Sequence, residues 1–252
     1  MRLALLSDIH ANVRALDACL DHAREQGVEG YAVLGDIVGY GAEPGEVVDR
    51  IAALAEAGAT VIKGNHDDLA CAPPPIGQAK SIDEAAATWS FNHLSDAQRA
   101  FLKRLPMTAQ IGKWLLVHAS ADRPESWRYV HDERSAGFSL DAAQKTEGVR
   151  NVFGGHVHHQ ALYYRGAGRG LMAFKPTAGV PVPLPAHREW IATVGSVGQP
   201  RDGNPRSMYA VFDSAQSRVT FFRVAYDHLS AAEAIRASGQ PEFFAKRLED
   251  GR

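Results

Sequence analysis

The feature that most constrains this sequence is a set of five short apolar runs, each of which ends directly in aspartate, asparagine or histidine. The runs are RLALLS before Asp8 and His10, YAVLG before Asp36, ATVIKG before Asn65-His66-Asp67, KWLLV before His118, and NVFGG before His156 and His158. Apolar runs of this length indicate buried strands. Because ligands bind beyond the carboxyl ends of strands in open α/β sheets, the five polar clusters are predicted to converge on one site.

Helical patterns separate the early runs. Residues 11–27 and 44–58 each have a helical pattern that ends in glycine, and the second has proline near its start. Residues 81–104 are predicted to be mostly helical. Strands that alternate with helices indicate βαβ units and a largely parallel sheet.

The second half of the chain has a different pattern. The short runs ALYYR, LMAF, EWIATV, MYAVFD and RVTFFRVAY are rich in β-forming residues and are separated by Gly/Pro loops. They predict a second, more antiparallel sheet packed on the first. Residues 175–185 contain too many prolines for a central strand and are expected to form a surface loop or an edge segment. Residues 165–170, RGAGRG, are expected to form an exposed turn.

We expect one domain over residues 1–252. Its ligand-bearing half would run to about residue 160, its β-rich half over about 161–226, and a helical tail over about 227–252. A chain of this length buries enough surface to fold without a disulfide or a structural metal. The two cysteines, Cys19 and Cys71, lack the spacing of a disulfide framework or a thiolate zinc site.

Charge and hydropathy bound the partners and the location. The formal net charge of −2 gives no broad basic surface for nucleic acid. The apolar start is too short for a signal peptide, and no run reaches the length of a membrane span. We therefore expect a cytoplasmic protein with a small-molecule partner and no membrane contact; the sequence does not indicate the oligomeric state.

The polar clusters have the composition of a metal site. Carboxylate, amide and imidazole groups without a thiolate suit manganese, iron, zinc or nickel better than calcium. Seven candidate ligands are too many for one tetrahedral zinc, but they suit two metals that share a carboxylate at a separation of ~3.5–4 Å. In the pairs Asp8-x-His10 and His156-x-His158, the one-residue spacing is expected to point both side chains the same way from an extended segment.

These strings resemble the calcineurin-like metallophosphoesterase superfamily. The family pattern D-x-H, G-D, G-N-H-[DE], H, G-H-x-H occurs in order as DIH (8–10), GD (35–36), GNHD (64–67), His118 and GHVH (155–158). The segment GSVGQPRDGNP (195–205) is similar to the C-terminal loop of the smaller bacterial branch related to diadenosine tetraphosphatases. The resemblance covers most of the first 158 residues and implies an α/β fold in which two mixed β-sheets pack as a sandwich flanked by helices, in four αββα layers.

The resemblance also implies a role for each matching residue. Asp8, His10 and His158 would hold one metal, Asn65, His118 and His156 the other, and Asp36 would bridge them. Manganese is expected, with iron, zinc, nickel or magnesium as alternatives. A hydroxide held between the two metals would attack phosphorus, and His66 would donate a proton to the leaving oxygen or stabilise it.

The second motif departs from the Ser/Thr protein phosphatases of this superfamily, whose pattern is GDxxDRG. Here Gly39 and Tyr40 replace the aspartate that orients the catalytic histidine and the arginine that grips phosphate. Asp67 or a backbone carbonyl is a candidate to orient His66. Arg201 is either the missing phosphate contact or an exposed loop arginine.

Other residues have structural alternatives. Asp8 could cap a helix, and Asp36 or Asn65 could be turn residues, although the joint pattern favours ligation. His159 is expected to pack or to be exposed rather than to bind metal. Tyr40 and Trp127 are candidate substrate contacts. Trp127 and the nearby Tyr129 lie in a proline-containing loop that could line a lid or a base pocket.

The expected function is metal-dependent hydrolysis of a phosphate ester or anhydride. A phosphodiesterase or a dinucleoside polyphosphate hydrolase is the first candidate, and a phosphomonoesterase, including a protein phosphatase, is the second. A non-catalytic scaffold on the same fold is the alternative of another class. All seven ligand positions and His66 carry suitable residues, which argues against the scaffold.

Overall fold

The computed structural model describes residues 1–75, 77–166 and 170–252. The strands within these ranges are β1 (Arg2–Leu6), β2 (Gly30–Leu34), β3 (Thr60–Ile62), β4 (Thr108–Ile111), β5 (Trp114–Val117), β6 (Asn151–Gly154), β7 (Gln160–Arg165), β8 (Leu171–Phe174), β9 (Pro181–Pro183), β10 (Glu189–Val194), β11 (Ser207–Asp213) and β12 (Arg218–Val224). The α-helices are α1 (Val13–Glu25), α2 (Pro44–Glu56), α3 (Asn65–Cys71), α4 (Ile82–Asn92), α5 (Asp96–Arg104), α6 (Glu133–Ala143), α7 (His228–Ala237) and α8 (Glu242–Asp250).

The strands form two six-stranded mixed sheets. The first has the order β3-β2-β1-β11-β12-β9 and the second the order β4-β5-β6-β10-β7-β8. Each sheet contains three neighbouring parallel strands, β1 to β3 in one and β5, β6 and β10 in the other, and antiparallel strands complete it. The parallel strands carry the polar clusters, so their carboxyl ends position the candidate site.

The two sheets pack face to face with helices outside them. Side chains alternate along β1, so that Leu3 and Leu5 face the second sheet while Ala4 and Leu6 face α1 and α2. The outer face of the second sheet packs on α6 through Leu140 and its neighbours. The predicted α/β sandwich with flanking helices is therefore confirmed, in four layers.

Helices α7 and α8 cover one further side of the molecule. Ile235 from α7 and Phe244 from α8 form a small core with Tyr40 and with Ala86 of α4. This core brings the end of the chain against the loop that follows β2. Tyr40 has its ring centroid 5.0 Å from that of Phe244.

The structure corrects the predicted partition of the strands. The β-rich half does not form a sheet of its own: β7, β8 and β10 complete the second sheet, whereas β9, β11 and β12 complete the first. Local pattern gives strand type but does not give strand partners, which depend on contacts between distant residues. The predicted helical region at 81–104 is two helices, because Ser95 caps α5 with its hydroxyl.

Two smaller predictions about the second half have different outcomes. The proline-rich segment at 175–185 contains β9, an edge strand of the first sheet, as expected of a segment poor in backbone donors. The turn predicted at 165–170 includes residues 167–169, which lie outside the described residues. No helix of the described ranges has the length and the apolar character required to cross a bilayer.

Candidate metal centre

The seven predicted ligands lie together beyond the ends of five parallel strands. Asp8 follows β1, Asp36 follows β2, Asn65 follows β3, His118 follows β5 and His156 follows β6. The six aspartates and histidines among the seven are at most 6% exposed. The convergence predicted from the apolar runs is thus present in the structure.

Two groups of potential ligand atoms can be distinguished. In the first, Asp8, His10 and His158 each offer an atom within 4.8 Å of the others. The Nε2 atoms of His10 and His158 are 3.2 Å apart, and Nε2 of His158 is 3.3 Å from Oδ1 of Asp8. This grouping is the one that the resemblance implies for the first metal.

The second group consists of Asp36, His118 and His156, whose atoms also lie within 4.8 Å of one another. Nε2 of His118 is 3.2 Å from Nδ1 of His156 and 3.1 Å from Oδ1 of Asn65. Oxygen and imidazole donors therefore surround a second point, again as the resemblance implies.

The carboxylate of Asp36 lies between the two groups. Its Oδ2 atom is 3.8 Å from Nε2 of His10 on one side and 3.3 Å from Nε2 of His118 on the other. Its Oδ1 atom accepts a hydrogen bond from the backbone of His66 at 2.8 Å. A carboxylate in this position can contact ligands of both groups at once.

The outer nitrogen of each histidine faces a backbone carbonyl. The pairs are His10 Nδ1 with Val38 (3.2 Å), His118 Nδ1 with Leu34 (2.7 Å), His156 Nε2 with Trp127 (2.9 Å) and His158 Nδ1 with Gln199 (2.6 Å). A carbonyl can only accept, so each outer nitrogen must carry the hydrogen and each inner nitrogen presents its lone pair when the ring is neutral. Such second contacts are typical of metal-binding histidines.

This donor set fits divalent cations. Lone pairs that face one another at 3.2 Å repel unless a proton or a cation lies between them. Burial lowers the pKa values of His10 and His158, and it lowers that of His156 to about 4, so these rings are held in the neutral form that a metal requires.

The remaining histidine behaves differently. Burial favours the neutral ring of His118, but the carboxylate of Asp36 outweighs it and raises the pKa of His118 to about 9. Burial disfavours ionised Asp36, yet His118 and His66 keep its pKa well below the usual value. Without metal, the carboxylate of Asp36 therefore favours the protonated form of His118.

Left-handed backbone brings these side chains inward. Asp8, His10, Asp36, His156 and His158 are five of the ten non-glycine residues with positive φ in the described ranges. The extended geometry predicted for the two one-residue spacings is therefore wrong. Each such residue costs about 1–3 kcal/mol and is found where the surrounding structure enforces it, most often at functional sites.

The motif glycines allow the strand ends to approach. A Cβ atom on Gly64 would lie 2.2 Å from Oδ1 of Asp36, and one on Gly155 would lie 2.5 Å from Oδ2 of Asp8. Neither position has room for a side chain. The glycines of the G-N-H and G-H-x-H strings are thus required by the closeness of neighbouring side chains, which are Asp36 for Gly64 and both Ser7 and Asp8 for Gly155.

His66 lies beside the first group and is 3% exposed. Its ring centroid is 4.4 Å from that of Tyr40 and 5.0 Å from that of His10, and it comes within ligand distance of His10 and Asp36. Its Nδ1 atom is buried and has no hydrogen-bond partner among the described residues. Burial lowers the pKa of His66 more than Asp36 raises it.

Asp67 does not orient His66, contrary to one of the two suggestions from the sequence. Its carboxylate accepts hydrogen bonds from the backbone nitrogens of Ile37 (2.8 Å), Val38 (3.2 Å) and Gly64 (2.9 Å). It therefore ties the loop after β2 to the start of α3. No backbone carbonyl orients His66 either within the described ranges, and contact with Tyr40 holds the ring instead.

The three candidate substrate contacts occupy different environments. Tyr40 is 5% exposed and its hydroxyl donates to Asp83 at 2.6 Å, which leaves only its ring for contact with a substrate. Arg201 is half-buried, and its guanidinium group lies 5.7 Å from the Tyr40 ring. Trp127 is half-buried, with its ring 6.0 Å from that of His118.

Several residues near the site were missed or left open by the sequence. The exposed Tyr129 stacks on His156 with centroids 4.1 Å apart, which places the predicted loop against the second group. Gln199 and Arg247 were missed, because no local pattern marks a buried glutamine or a C-terminal arginine as part of a distant site. His159 is exposed, as expected.

Comparison with known proteins gives a consistent result. The chain is 32% identical to a metallophosphoesterase from Sphaerobacter thermophilus, whose crystal structure superposes with a TM-score of 0.87 over 100% of this chain and 99% of that one. It is 29% identical to the uncharacterized protein MJ0912 of Methanocaldococcus jannaschii, over 99% of this chain and 98% of that protein.

A further solved structure shares the fold. It is the hypothetical protein PH1004 from Pyrococcus horikoshii OT3, which is 21% identical, with a TM-score of 0.78 over 100% of this chain and 98% of that one. The sequence pattern of the calcineurin-like phosphoesterase superfamily domain matches residues 1–217. With that match and the five motifs gathered at one site, the chain belongs to the calcineurin-like phosphoesterase superfamily.

Proposed function

We propose that this protein hydrolyses a phosphate ester or anhydride with the help of two divalent metal ions. Manganese is the proposed metal, and iron, zinc, nickel and magnesium are compatible with the same donors. The first ion would be held by Asp8, His10 and His158, the second by Asn65, His118 and His156, and Asp36 would contact both. A cytoplasmic location and a small-molecule substrate remain part of the proposal.

The position of Asp36 is the observation that carries the proposal. Its Oδ2 atom lies 3.8 Å from His10 and 3.3 Å from His118, each of which belongs to a different group of donors. A shared carboxylate is what distinguishes a two-metal hydrolytic site from two separate metal sites. The inner nitrogens of four histidines, fixed by backbone carbonyls, support the same assignment.

The protein residues contribute orientation and a proton. When bound, the ions supply a nucleophilic oxygen at neutral pH and neutralise charge on the phosphoryl oxygens. His66 gains nothing from a hydrogen on its unpartnered Nδ1, so its neutral ring would carry the hydrogen on Nε2 and donate it toward the leaving oxygen. Arg201 would hold a phosphate oxygen through its planar donors.

A phosphodiester or a dinucleoside polyphosphate is the substrate class that we favour over a phosphomonoester. The aspartate and arginine that Ser/Thr protein phosphatases use have no equivalent at Gly39 and Tyr40. Gly39 has a φ of +95°, and a Cβ atom there would lie 2.7 Å from Nδ1 of His66, so an aspartate does not fit. The resemblance at residues 195–205 favours the dinucleotide class in the same way.

The substrate class can be tested with two chromogenic esters. Metal-stripped protein reconstituted with Mn²⁺ is expected to release p-nitrophenol faster from bis-p-nitrophenyl phosphate than from p-nitrophenyl phosphate. A faster reaction with the monoester would favour the phosphomonoesterase. Faster release from the diester would justify a screen of dinucleoside polyphosphates as substrates.

Replacing His66 separates a proton donor from a metal ligand. His66→Ala is expected to lower turnover about 100-fold, the usual contribution of a positioned proton donor, while the protein still binds two Mn²⁺ ions. Bound metal is measured by mass spectrometry on the dialysed protein. His159→Ala, at an exposed histidine, is the control. Loss of a metal ion from His66→Ala would make His66 a ligand, as its closeness to His10 and Asp36 allows.

Metal affinity is expected to depend on pH through His118. The pKa of this residue is raised to about 9 without metal, so between pH 6.5 and 8 the ring must lose a proton before it binds an ion. The affinity for Mn²⁺ should therefore rise about tenfold per pH unit over this range, measured by titration calorimetry. An affinity for Mn²⁺ that is constant over this pH range would contradict a protonated His118 ring in the metal-free protein.

The same titration tests the alternative of a non-catalytic scaffold. A protein that binds no Mn²⁺ and gains no thermal stability from it would have kept the fold without the chemistry. All eight proposed positions carry suitable residues, and their geometry supports an enzyme.

A further inference from the structure

Two arginines from distant parts of the chain meet on one buried amide oxygen. Nε and Nη2 of Arg201 donate to Oε1 of Gln199 at 3.2 and 2.8 Å, and Nη1 of Arg247 donates to the same atom at 3.2 Å. Gln199 is 1% exposed, and its backbone carbonyl accepts from Nδ1 of His158 at 2.6 Å. One buried residue therefore fixes both guanidinium groups and a proposed metal ligand.

The same two arginines lie against one aromatic ring. The guanidinium carbons of Arg201 and Arg247 are 5.7 and 5.9 Å from the centroid of the Tyr40 ring, within the usual range of cation–π contacts. The Tyr40 ring lies 4.4 Å from that of His66. The arginine pair is thus separated from the proposed proton donor by a single ring.

The charge of this pair is only partly offset, because Asp83 is near enough to raise the pKa of Arg247 but forms no ion pair with it among the described residues. Neither Arg201 nor Arg247 has a carboxylate oxygen within 4.0 Å among the described residues, and the carboxylate of Asp83 accepts the hydroxyl hydrogen of Tyr40. Burial and the charge of Arg201 lower the pKa of Arg247. Each guanidinium group has five N–H donors, and Gln199 takes three of the ten, so donors remain for an anion.

We propose that Arg201 and Arg247, held by Gln199, form an anion subsite that binds a second phosphate group of the substrate beside the metal centre. Guanidinium groups bind phosphate oxygens in pairs, and two of them suit a group with more than one negative charge. The subsite rests on the proposed function and narrows it to phosphoanhydrides, with a dinucleoside polyphosphate as substrate in place of a simple diester.

Space for the remainder of such a substrate adjoins Arg247. A surface depression of about 340 Å³ is lined by Phe243, Lys246, Arg247, Asp250 and Arg252. Three of these five residues are cationic, and the exposed Phe243 has the Arg247 guanidinium carbon 4.3 Å above its ring. A chain of phosphates that leaves the arginine pair in this direction would remain in positive surroundings.

The test compares two anions that differ by one phosphate group. Inorganic pyrophosphate and inorganic phosphate are used as competitive inhibitors of bis-p-nitrophenyl phosphate hydrolysis, at constant free Mn²⁺. The wild-type protein is expected to bind pyrophosphate at least ten times more tightly than phosphate. Arg247→Gln should reduce this ratio about tenfold, toward equal binding of the two anions, as expected from one lost charge-assisted contact, and Arg247→Lys should reduce it less.

The matched control is Arg188→Gln. Arg188 also lies over an aromatic ring, 4.8 Å from that of Tyr164, but it precedes β10 and so lies at the opposite end of the sheet from the site. This variant should keep the wild-type ratio. An unchanged ratio in Arg247→Gln, or a wild-type protein without preference for pyrophosphate, would overturn the subsite.

The outcome can be separated from failure of the proposed function. If no ester is hydrolysed, the same ratio is obtained from the thermal shifts that the two anions give with the Mn²⁺-loaded protein. A preference for pyrophosphate that depends on Arg247 would then support the subsite without catalysis. Equal inhibition by both anions in an active enzyme would contradict the proposed subsite but not the proposed hydrolase activity.

Discussion

Asp36→Asn is expected to lower turnover by at least about 1000-fold, because two metal ions that stabilise transition-state charge by several kcal/mol would lose their common ligand. The substitution keeps the shape of the side chain and an oxygen that can accept a hydrogen bond from the backbone nitrogen of His66. In the wild-type protein Oδ1 of Asp36 accepts this hydrogen bond at 2.8 Å. It removes the charge that lies between His10 and His118. Affinity for both ions should therefore fall together.

A second readout of Asp36→Asn does not depend on activity. The pKa of His118 is raised to about 9 by this carboxylate, so in the metal-free variant burial should dominate and the pKa should fall below that value. The histidine ring signals in an NMR titration report this change. Asp213→Asn, at a buried aspartate that ends β11, is the control. Turnover within a few fold of the wild-type value would contradict the role of Asp36 as a ligand shared by both metal ions.

Gly64→Ala is expected to destabilise the protein by roughly 3 kcal/mol or more and to abolish binding of metal, because the new atom has no space. It would lie 2.2 Å from Oδ1 of Asp36 and 2.3 Å from the backbone nitrogen of Asp36. The backbone nitrogen cannot turn away, so β2 and β3 would have to separate at the site. Thermal unfolding of the metal-free protein and Mn²⁺ titration measure the two effects.

The control for this variant is Gly137→Ala in α6. A Cβ atom there meets only Cδ1 of Leu171, at 3.6 Å, and alanine is the better helix former. This control should unfold at the wild-type temperature or slightly above it. Wild-type stability and two bound ions in Gly64→Ala would show that close packing of the strand ends is not what the motif glycine provides.

Much of the site could be predicted because its residues are local to strand ends. Asp8, Asp36, Asn65, His118 and His156 each follow an apolar run directly, and parallel strands bring such ends to one edge. The residue types then limited the possible metals. Neither step required knowledge of which strands are neighbours.

The rest depends on contacts that no local pattern encodes. The β-rich half divides between two sheets because β11 pairs with β1, where Leu3 faces Phe212, and β10 pairs with β6, where Ile191 faces Val152. Both pairings join residues that are far apart in the chain. The carbonyls that orient the histidines are backbone atoms and carry no residue signature. Arg247 reaches Gln199 only because α8 packs on Tyr40.

The left-handed residues give a second example. An extended segment was expected for Asp8-x-His10, since alternate side chains of a strand point the same way. The structure has φ of 52° at Asp8 and 49° at His10, a strained conformation that only the surrounding contacts can maintain. Local sequence favours ordinary backbone, and so the departure at the site could not be anticipated.

The measurement that tests the central claim most directly is the rate of bis-p-nitrophenyl phosphate hydrolysis as Mn²⁺ is added stepwise to metal-stripped protein, with bound metal determined at each step. Asp36 lies between both groups of donors, so the account predicts that the rate rises as the second equivalent binds and stops rising at two ions per chain. Full activity at one bound ion, or a rate that keeps rising beyond two ions per chain, would contradict a shared two-metal centre.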